Sequence, residues 1–265
     1  MSRVIPGILM AACWLLLLFL GTIELFWGVV LCSAGIALHE YFSMTSPSLT
    51  GRRLLITIFF CVLPVLAAFF GKDDIVLAGL IGTLFALVIV ALQGYTTLEN
   101  GFTYLSCSGF ASVYISLCMA YTVLIRFLPQ GQFWLTLLIA VVAGSDTGAY
   151  YAGRAFGKRK LFPLVSPKKT IAGGIGGLGA GIVSAEALNW IFPGNLDPFL
   201  LFLAAILLVV VGIIGDLTES MIKRSVGVKD SGTILLGHGG LLDRIDSLLF
   251  TAPVLYYLLH FGLLR

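Results

Sequence analysis

Residues 198–218 read PFLLFLAAILLVVVGIIGDLT, a run long enough to cross the hydrocarbon core of a bilayer as a helix, which takes about 20 apolar residues. The run closes on a carboxylate, Asp216, near its end. An apolar rod with an acid at its mouth sets the reading of everything around it. Composition agrees, because 59% of the 265 residues are hydrophobic and 11% charged, against roughly 45–50% and about 25% in soluble domains. One core cannot hide that much apolar surface, so a water-soluble globule is excluded, as are a disordered chain and a disulfide-stapled secreted fold.

Working outward, comparable stretches cover residues 4–21, 24–42, 54–70, 75–93, 103–128, 132–152, 172–192 and 240–262. The expected fold is therefore an all-α polytopic integral membrane protein of about nine transmembrane helices. Only the step Gly21-Thr22-Ile23-Glu24 separates the first two, so one long re-entrant element is the alternative there. The first stretch reads as a span rather than a signal peptide, since no small-x-small site precedes a polar region. Lys and Arg are retained on the cytoplasmic side. On a nine-span reading Arg3, Arg52, Arg53, Arg154, Lys158, Arg159, Lys160, Lys168, Lys169, Lys223, Arg224 and Lys229 share one side, with Lys72, Arg126 and Arg265 on the other. The N-terminus is expected in the cytoplasm.

Ionisable groups concentrate in residues 144–170 and 215–247. Residues 1–130 thus read as a transmembrane scaffold and 131–265 as a catalytic region with cytoplasmic loops. No internal repeat suggests an inverted-repeat transporter. A net charge of +3 is too small to argue for a nucleic-acid partner.

In the segment 215–247, GDLTESMIKRSVGVKDSGTILLGHGGLLDRIDS, Asp216, Glu219, Ser220 and Lys223 recur at three- and four-residue steps, one polar stripe on a continuing helix. Asp243 and Asp246 repeat the spacing at the start of the last span, with Asp230 between. Facing carboxylate stripes would make a set of oxygen ligands suited to Mg²⁺; a solvated face paired with Lys223, Arg224 and Arg244 is the alternative. Gly232, Gly237, Gly239 and Gly240, with Ser231, His238 and Lys229, suggest a loop whose N–H groups approach a phosphate, or else a plain turn. In 144–170, Asp146 lies within the sixth span, where an acid marks a functional site by default. Arg154 belongs to the basic cluster that follows. Ser166-Pro167-Lys168-Lys169-Thr170 puts a turn, two cations and a hydroxyl just before the seventh span, a ready anion site.

Weaker signals resolve to packing. Gly174, Gly176 and Gly179 satisfy a literal G-x-G-x-x-G without a preceding strand, whereas Gly173, Gly177 and Gly181 form successive G-x-x-x-G steps that bring helices close in lipid. Cys13, Cys32, Cys61, Cys107 and Cys118 show no CxxC pair and read as apolar filling. His39, Glu40 and His260 read as interfacial, and Glu24, Glu99 and Glu186 carry no assignment.

The run Ser220-Met221-Ile222-Lys223-Arg224, then Lys229-Asp230-Ser231-Gly232, then His238-Gly239-Gly240-Leu241-Leu242-Asp243-Arg244-Ile245-Asp246 closely resembles the signature of phosphatidate cytidylyltransferases, the CDP-diacylglycerol synthases. Asp146-Thr147-Gly148-Ala149-Tyr150, Gly153-Arg154, Phe156-Gly157-Lys158 and Ser166-Pro167-Lys168-Lys169-Thr170 resemble that family too, so the likeness covers about the last half of the chain. Two positions depart: Leu236 stands where the family usually has Pro, and Ala172 where many members carry Glu or Gln. The resemblance implies transfer of CMP from CTP to phosphatidic acid, giving CDP-diacylglycerol and pyrophosphate, with Mg²⁺ and room for a second cation. It implies that Asp216 and Asp243, helped by Asp230 and Asp246, hold the metal, and that Lys223, Arg224, Lys229 and Arg244 neutralise the triphosphate. His238 joins this catalytic set. Asp146, Arg154, Ser166, Lys168, Lys169, Thr170, Ser220, Ser231, Gly239 and Gly240 form the substrate-binding set. The expected location is a bacterial inner (plasma) membrane with the active site on its cytoplasmic face, and a homodimer is allowed. A CTP-dependent lipid kinase is the nearest rival, separable by which CTP phosphate reaches the lipid; a transporter would place charges near mid-bilayer.

Overall fold

The computed structural model describes residues 4–96, 98, 100–192, 196–232 and 239–264, with side chains described from residue 12 onward. His238 and Leu236 lie outside the described residues. The chain divides into two compact units, Met1–Gln132 with Asp230–Asp243, and Phe133–Lys229 with Arg244–Arg265. Residues 230–243 thus cluster with the N-terminal part, which a division at 130/131 leaves out.

In the first unit, α1 (Val4–Leu20) and α2 (Ile23–Thr45) are separate helices. Thr22 breaks them apart by capping α2: its Oγ1 accepts the N–H of Leu25 at 3.3 Å, and Glu24 complements the positive end of the helix. The next run, Gly51–Phe70, is pieced together from α3 (Gly51–Cys61), α4 (Leu63–Ala67) and a 3₁₀ turn. Pro64 has no N–H to donate and interrupts it; Gly71, at φ +66°, ends it in the left-handed conformation. After α5 (Asp73–Gln93), the helices α6 (Gly101–Ala111) and α7 (Cys118–Phe127) join through a π-helical segment at Ser112–Leu117. Several hydroxyls in these apolar segments find partners inside the protein, as lipid offers none. Thr83 donates to the Phe60 carbonyl at 2.8 Å, Ser112 to the Ser108 carbonyl at 2.8 Å, and Thr57 shares a hydrogen bond with the Tyr104 hydroxyl at 2.9 Å.

The second unit holds all but the first two residues of α8 (Gly131–Phe156), a hairpin of β1 (Lys160–Phe162) and β2 (Ser166–Thr170), α9 (Ile171–Ile191), α10 (Pro198–Ser225), and α11 (Leu242–His260) from Arg244 on. Glycines set how closely these rods approach. A Cβ at Gly173 would stand 2.9 Å from the Ala149 carbonyl oxygen, and one at Gly177 2.9 Å from that of Ser145, so α9 lies on α8 along the Gly173, Gly177, Gly181 stripe expected from the sequence. On α10, Gly215 fits under the backbone of Asp246, whose carbonyl oxygen a Cβ would meet at 2.6 Å.

Among the described residues, seven helical runs are long and apolar enough to span a membrane. The first and last of the nine expected spans are not among them. The described part of α1 has 17 residues, and α11 opens on Asp243, Arg244 and Asp246. The chain is a polytopic, all-α membrane protein whose sheet, among the described residues, is the hairpin β1–β2.

Candidate active site

Four helices and the hairpin of the second unit enclose a cavity of about 310 Å³. Asp146, Ser145 and Tyr150 reach it from α8, Lys168, Lys169 and Thr170 from β2, Gly173 and Gly174 from α9, Gly212 and Asp216 from α10, and Ser247 from α11. Two segments that the sequence kept apart, 144–170 and the end of α10, therefore share one space. Thr170 opens α9 as its cap, its Oγ1 accepting the Gly173 N–H at 3.0 Å. That bond fixes the end of β2 and so aims Lys169 at α10.

Lys169 Nζ lies 2.7 Å from Asp216 Oδ2, an ion pair in the lining of the cavity, with side chains 24% and 28% exposed. Such a half-solvated pair is held weakly, at about 0–1 kcal/mol, and can be exchanged for another partner. Ser220 donates to Asp216 Oδ1 at 3.3 Å, which leaves the carboxylate oriented when the lysine moves. Asp146 is within electrostatic range of both Asp216 and Lys169, and Asp246 within range of Asp216 and Asp146. One turn beyond, Lys223 Nζ bonds Glu219 Oε2 at 2.6 Å, a buried pair that continues the stripe into the protein. Arg224 donates to the Val228 carbonyl at 3.2 Å and holds the turn after α10.

The remaining expected residues fall as follows. Arg154 sits at the exposed end of α8 near the Tyr150 hydroxyl, at 3.5 Å, and Ser166 begins β2. Lys229 and Arg244 are exposed residues of the second unit, on either side of the segment that belongs to the first. In that segment, Asp243 Oδ2 accepts the N–H groups of Ser231 at 3.0 Å and Gly240 at 2.8 Å, tying the two ends of the signature loop. Gly239 turns there at φ +82°. Asp230 is exposed at the start of the loop.

Glu40 is a residue that sequence reasoning passed over. It is 2% exposed, and its Oε1 accepts the Leu241 N–H at 2.9 Å while Oε2 accepts that of Leu242 at 2.9 Å. The signal that could have found it is the one applied to Asp146, an ionisable side chain inside an apolar span. The β1–β2 hairpin also went unread, for Pro167 argues against a strand and the pairing shifts register between Lys160 and Phe162.

The carboxylates of the cavity are hard oxygen donors, and a cation already stands against Asp216 in the form of the Lys169 ammonium. This donor set fits a small divalent cation. Among the described residues no group of three or more His, Cys, Asp or Glu closes round a single point, so such an ion would take its remaining ligands from substrate phosphates and water.

Comparison with known proteins places these residues in context. Residues 1–262 match the model of the cytidylyltransferase family. The phosphatidate cytidylyltransferase of Bacillus subtilis (strain 168) is 37% identical over 265 residues, 97% of each chain. That of Staphylococcus haemolyticus is 42% identical over 171 residues, 63% of this chain and 65% of its own. The Staphylococcus saprophyticus enzyme of the same name is 37% identical over 188 residues, 71% and 70% of the two chains. Matched from the first residue to within a few of the last, this chain belongs to the cytidylyltransferase family.

Proposed function

We propose that the protein is a phosphatidate cytidylyltransferase, which transfers CMP from CTP to phosphatidic acid and releases pyrophosphate, supplying CDP-diacylglycerol for phospholipid synthesis. The observation that carries this reading is the end-to-end likeness to the B. subtilis enzyme of that name. The cavity around Lys169 and Asp216 supports it with a place where cations and carboxylates meet beside apolar walls. A membrane enzyme whose two substrates are a polar triphosphate and a lipid phosphate needs that combination.

The lipid phosphomonoester is already an anionic nucleophile. One of its oxygens attacks the α-phosphorus of CTP, a P–O bond forms, and the bond to the β-phosphate breaks with its electron pair leaving on pyrophosphate. No covalent enzyme intermediate or proton transfer is required, so the work of the chain is alignment and charge neutralisation. Lys169 exchanges Asp216 for an incoming phosphate, and exposed Lys168 adds a second cation on the same strand. Lys229, Arg224 and Arg244 supply positive charge to the triphosphate from the segments flanking the signature loop, and Asp146 and Ser220 orient partners around Asp216. Asp216 and Asp246 would hold a divalent cation, Mg²⁺ by the chemistry of their oxygens. When bound, such a cation neutralises the phosphates and the departing pyrophosphate. Asp230 and Asp243 are the acids of the signature that lie in the first unit. The active site is read as opening to the cytoplasm of a bacterial plasma membrane, on the basic side of the chain.

Incubating purified protein with phosphatidic acid, Mg²⁺ and CTP labelled at either the α- or the γ-phosphate tests the reading. Label from the α-phosphate in a liponucleotide is the expected result. Label from the γ-phosphate alone would make the protein a lipid kinase.

A further inference from the structure

Glu40 lies in the C-terminal half of α2, in the interior of the first unit. A carboxylate in an apolar segment is costly unless hydrogen bonds satisfy it. Glu40 takes three, from the N–H groups of Leu241 and Leu242 at 2.9 Å each and from the Ser231 hydroxyl at 3.4 Å. The two amides stand at the entry to α11, among those that no helical carbonyl can reach. A side chain about 200 positions upstream thus caps the helix that carries Asp243, Arg244 and Asp246.

Two glycines of the signature loop, Gly232 and Gly240, fit this carboxylate closely. A Cβ at Gly232 would lie 2.7 Å from Glu40 Oε1 and 2.9 Å from its Cδ, and one at Gly240 would lie 2.6 Å from Oε2. No real Cβ sits so near. The N–H groups of Gly240 and Ser231 are meanwhile taken by Asp243. Two backbone donors of the loop that the sequence offered to a phosphate, those of Ser231 and Gly240, therefore already have an acceptor, and Gly232 and Gly240 make room for Glu40.

We propose that Glu40 is a positioning residue for the transferase reaction, on the reading given under Proposed function. Its carboxylate ties Ser231 to Leu241 and Leu242 and so sets where Asp230, Ser231 and Asp243 stand and how α11 begins. Glu40 acts on the reaction through the loop and touches no reacting atom.

The test uses the full-length protein in detergent and the variants Glu40→Gln, Glu40→Ala, Gly232→Ala and the Glu40→Ala/Gly232→Ala pair. Two readouts are taken: amide hydrogen exchange of peptides covering 239–245, and kcat and KM with CTP and phosphatidic acid. Glu40→Gln is expected to speed exchange in those peptides alone and to lower kcat by about 10–100-fold, the usual cost of losing an outer support, with KM for CTP little changed. Gly232→Ala should slow the enzyme similarly. The double variant should be no slower than Glu40→Ala, since the atoms nearest the added methyl are those that Glu40→Ala removes. Wild-type kcat and exchange in Glu40→Gln, or losses that multiply in the double variant, would overturn the proposal. If the Glu40 variants fail to accumulate in the membrane, Gly232→Ala with native exchange and kcat overturns it equally. Wild-type protein that makes no liponucleotide refutes the transferase reading, and the exchange data then still decide for or against the clamp.

Discussion

Two carboxylates in this protein are held in opposite ways. Glu40 is 2% exposed and receives main-chain N–H groups and a hydroxyl, donors fixed by the backbone around them. Asp216 is 28% exposed and receives the end of a flexible lysine at 2.7 Å. The first arrangement resists change, because displacing any donor strands a buried charge. The second invites it, because a half-solvated ammonium can turn to another anion at little cost. Structure-holding and chemistry thus separate on physical grounds: where the partners are main-chain N–H groups and a short hydroxyl, the charge builds the fold, and where the partner is a mobile cation, the charge is available to a ligand.

That contrast is open to direct attack. The largest expected effect is on turnover in Asp216→Asn, which keeps the size of the side chain and removes its charge. A loss of about 10³-fold or more in kcat is expected, the upper range for deleting one electrostatic contact at a reacting centre. Expression and detergent extraction should match wild type, and if activity also matches, Asp216 leaves the site. Next is Gly177→Leu on the α8–α9 contact, where a Cβ would already stand 2.9 Å from the Ser145 carbonyl oxygen. A branched side chain there should lower stability by at least the ~1–3 kcal/mol typical of overpacking, seen as a lower Tm and poor recovery in detergent. A native Tm would show that the two helices are not packed along this stripe. The smallest effect belongs to Thr170→Val, which removes the cap at Gly173 while keeping the shape. It should cost about 1 kcal/mol, and because the cap aims β2, kcat/KM should fall while Asp216 remains in place. Unchanged Tm and kinetics would detach Lys169 from the helix start.

The fold was legible where physics is local. Runs of apolar residues announced the spans, and the three-residue gaps between Gly173, Gly177 and Gly181 announced a close helix contact that the α8–α9 packing displays. The Asp216, Glu219, Ser220, Lys223 stripe was legible for the same reason, since helical spacing alone puts Ser220 over Asp216 and Lys223 over Glu219. What escaped depends on contacts distant in sequence. Glu40 looks like a lone interfacial acid until the loop 191 to 202 positions later closes on it. Residues 160–170 carry Pro167 and three lysines and no alternation, so nothing local distinguishes a hairpin from a basic loop. The likeness of 144–158 and 166–170 to one family did link them to 215–246, and the cavity brings Asp146, Lys169 and Asp216 to a common wall.

Cation dependence of cytidylyl transfer tests the account most directly: purified protein, phosphatidic acid and CTP labelled at the α-phosphate, first with EDTA and then with Mg²⁺ in excess. The account predicts no labelled liponucleotide under chelation and its appearance once Mg²⁺ is restored. Equal labelling in both conditions would contradict it.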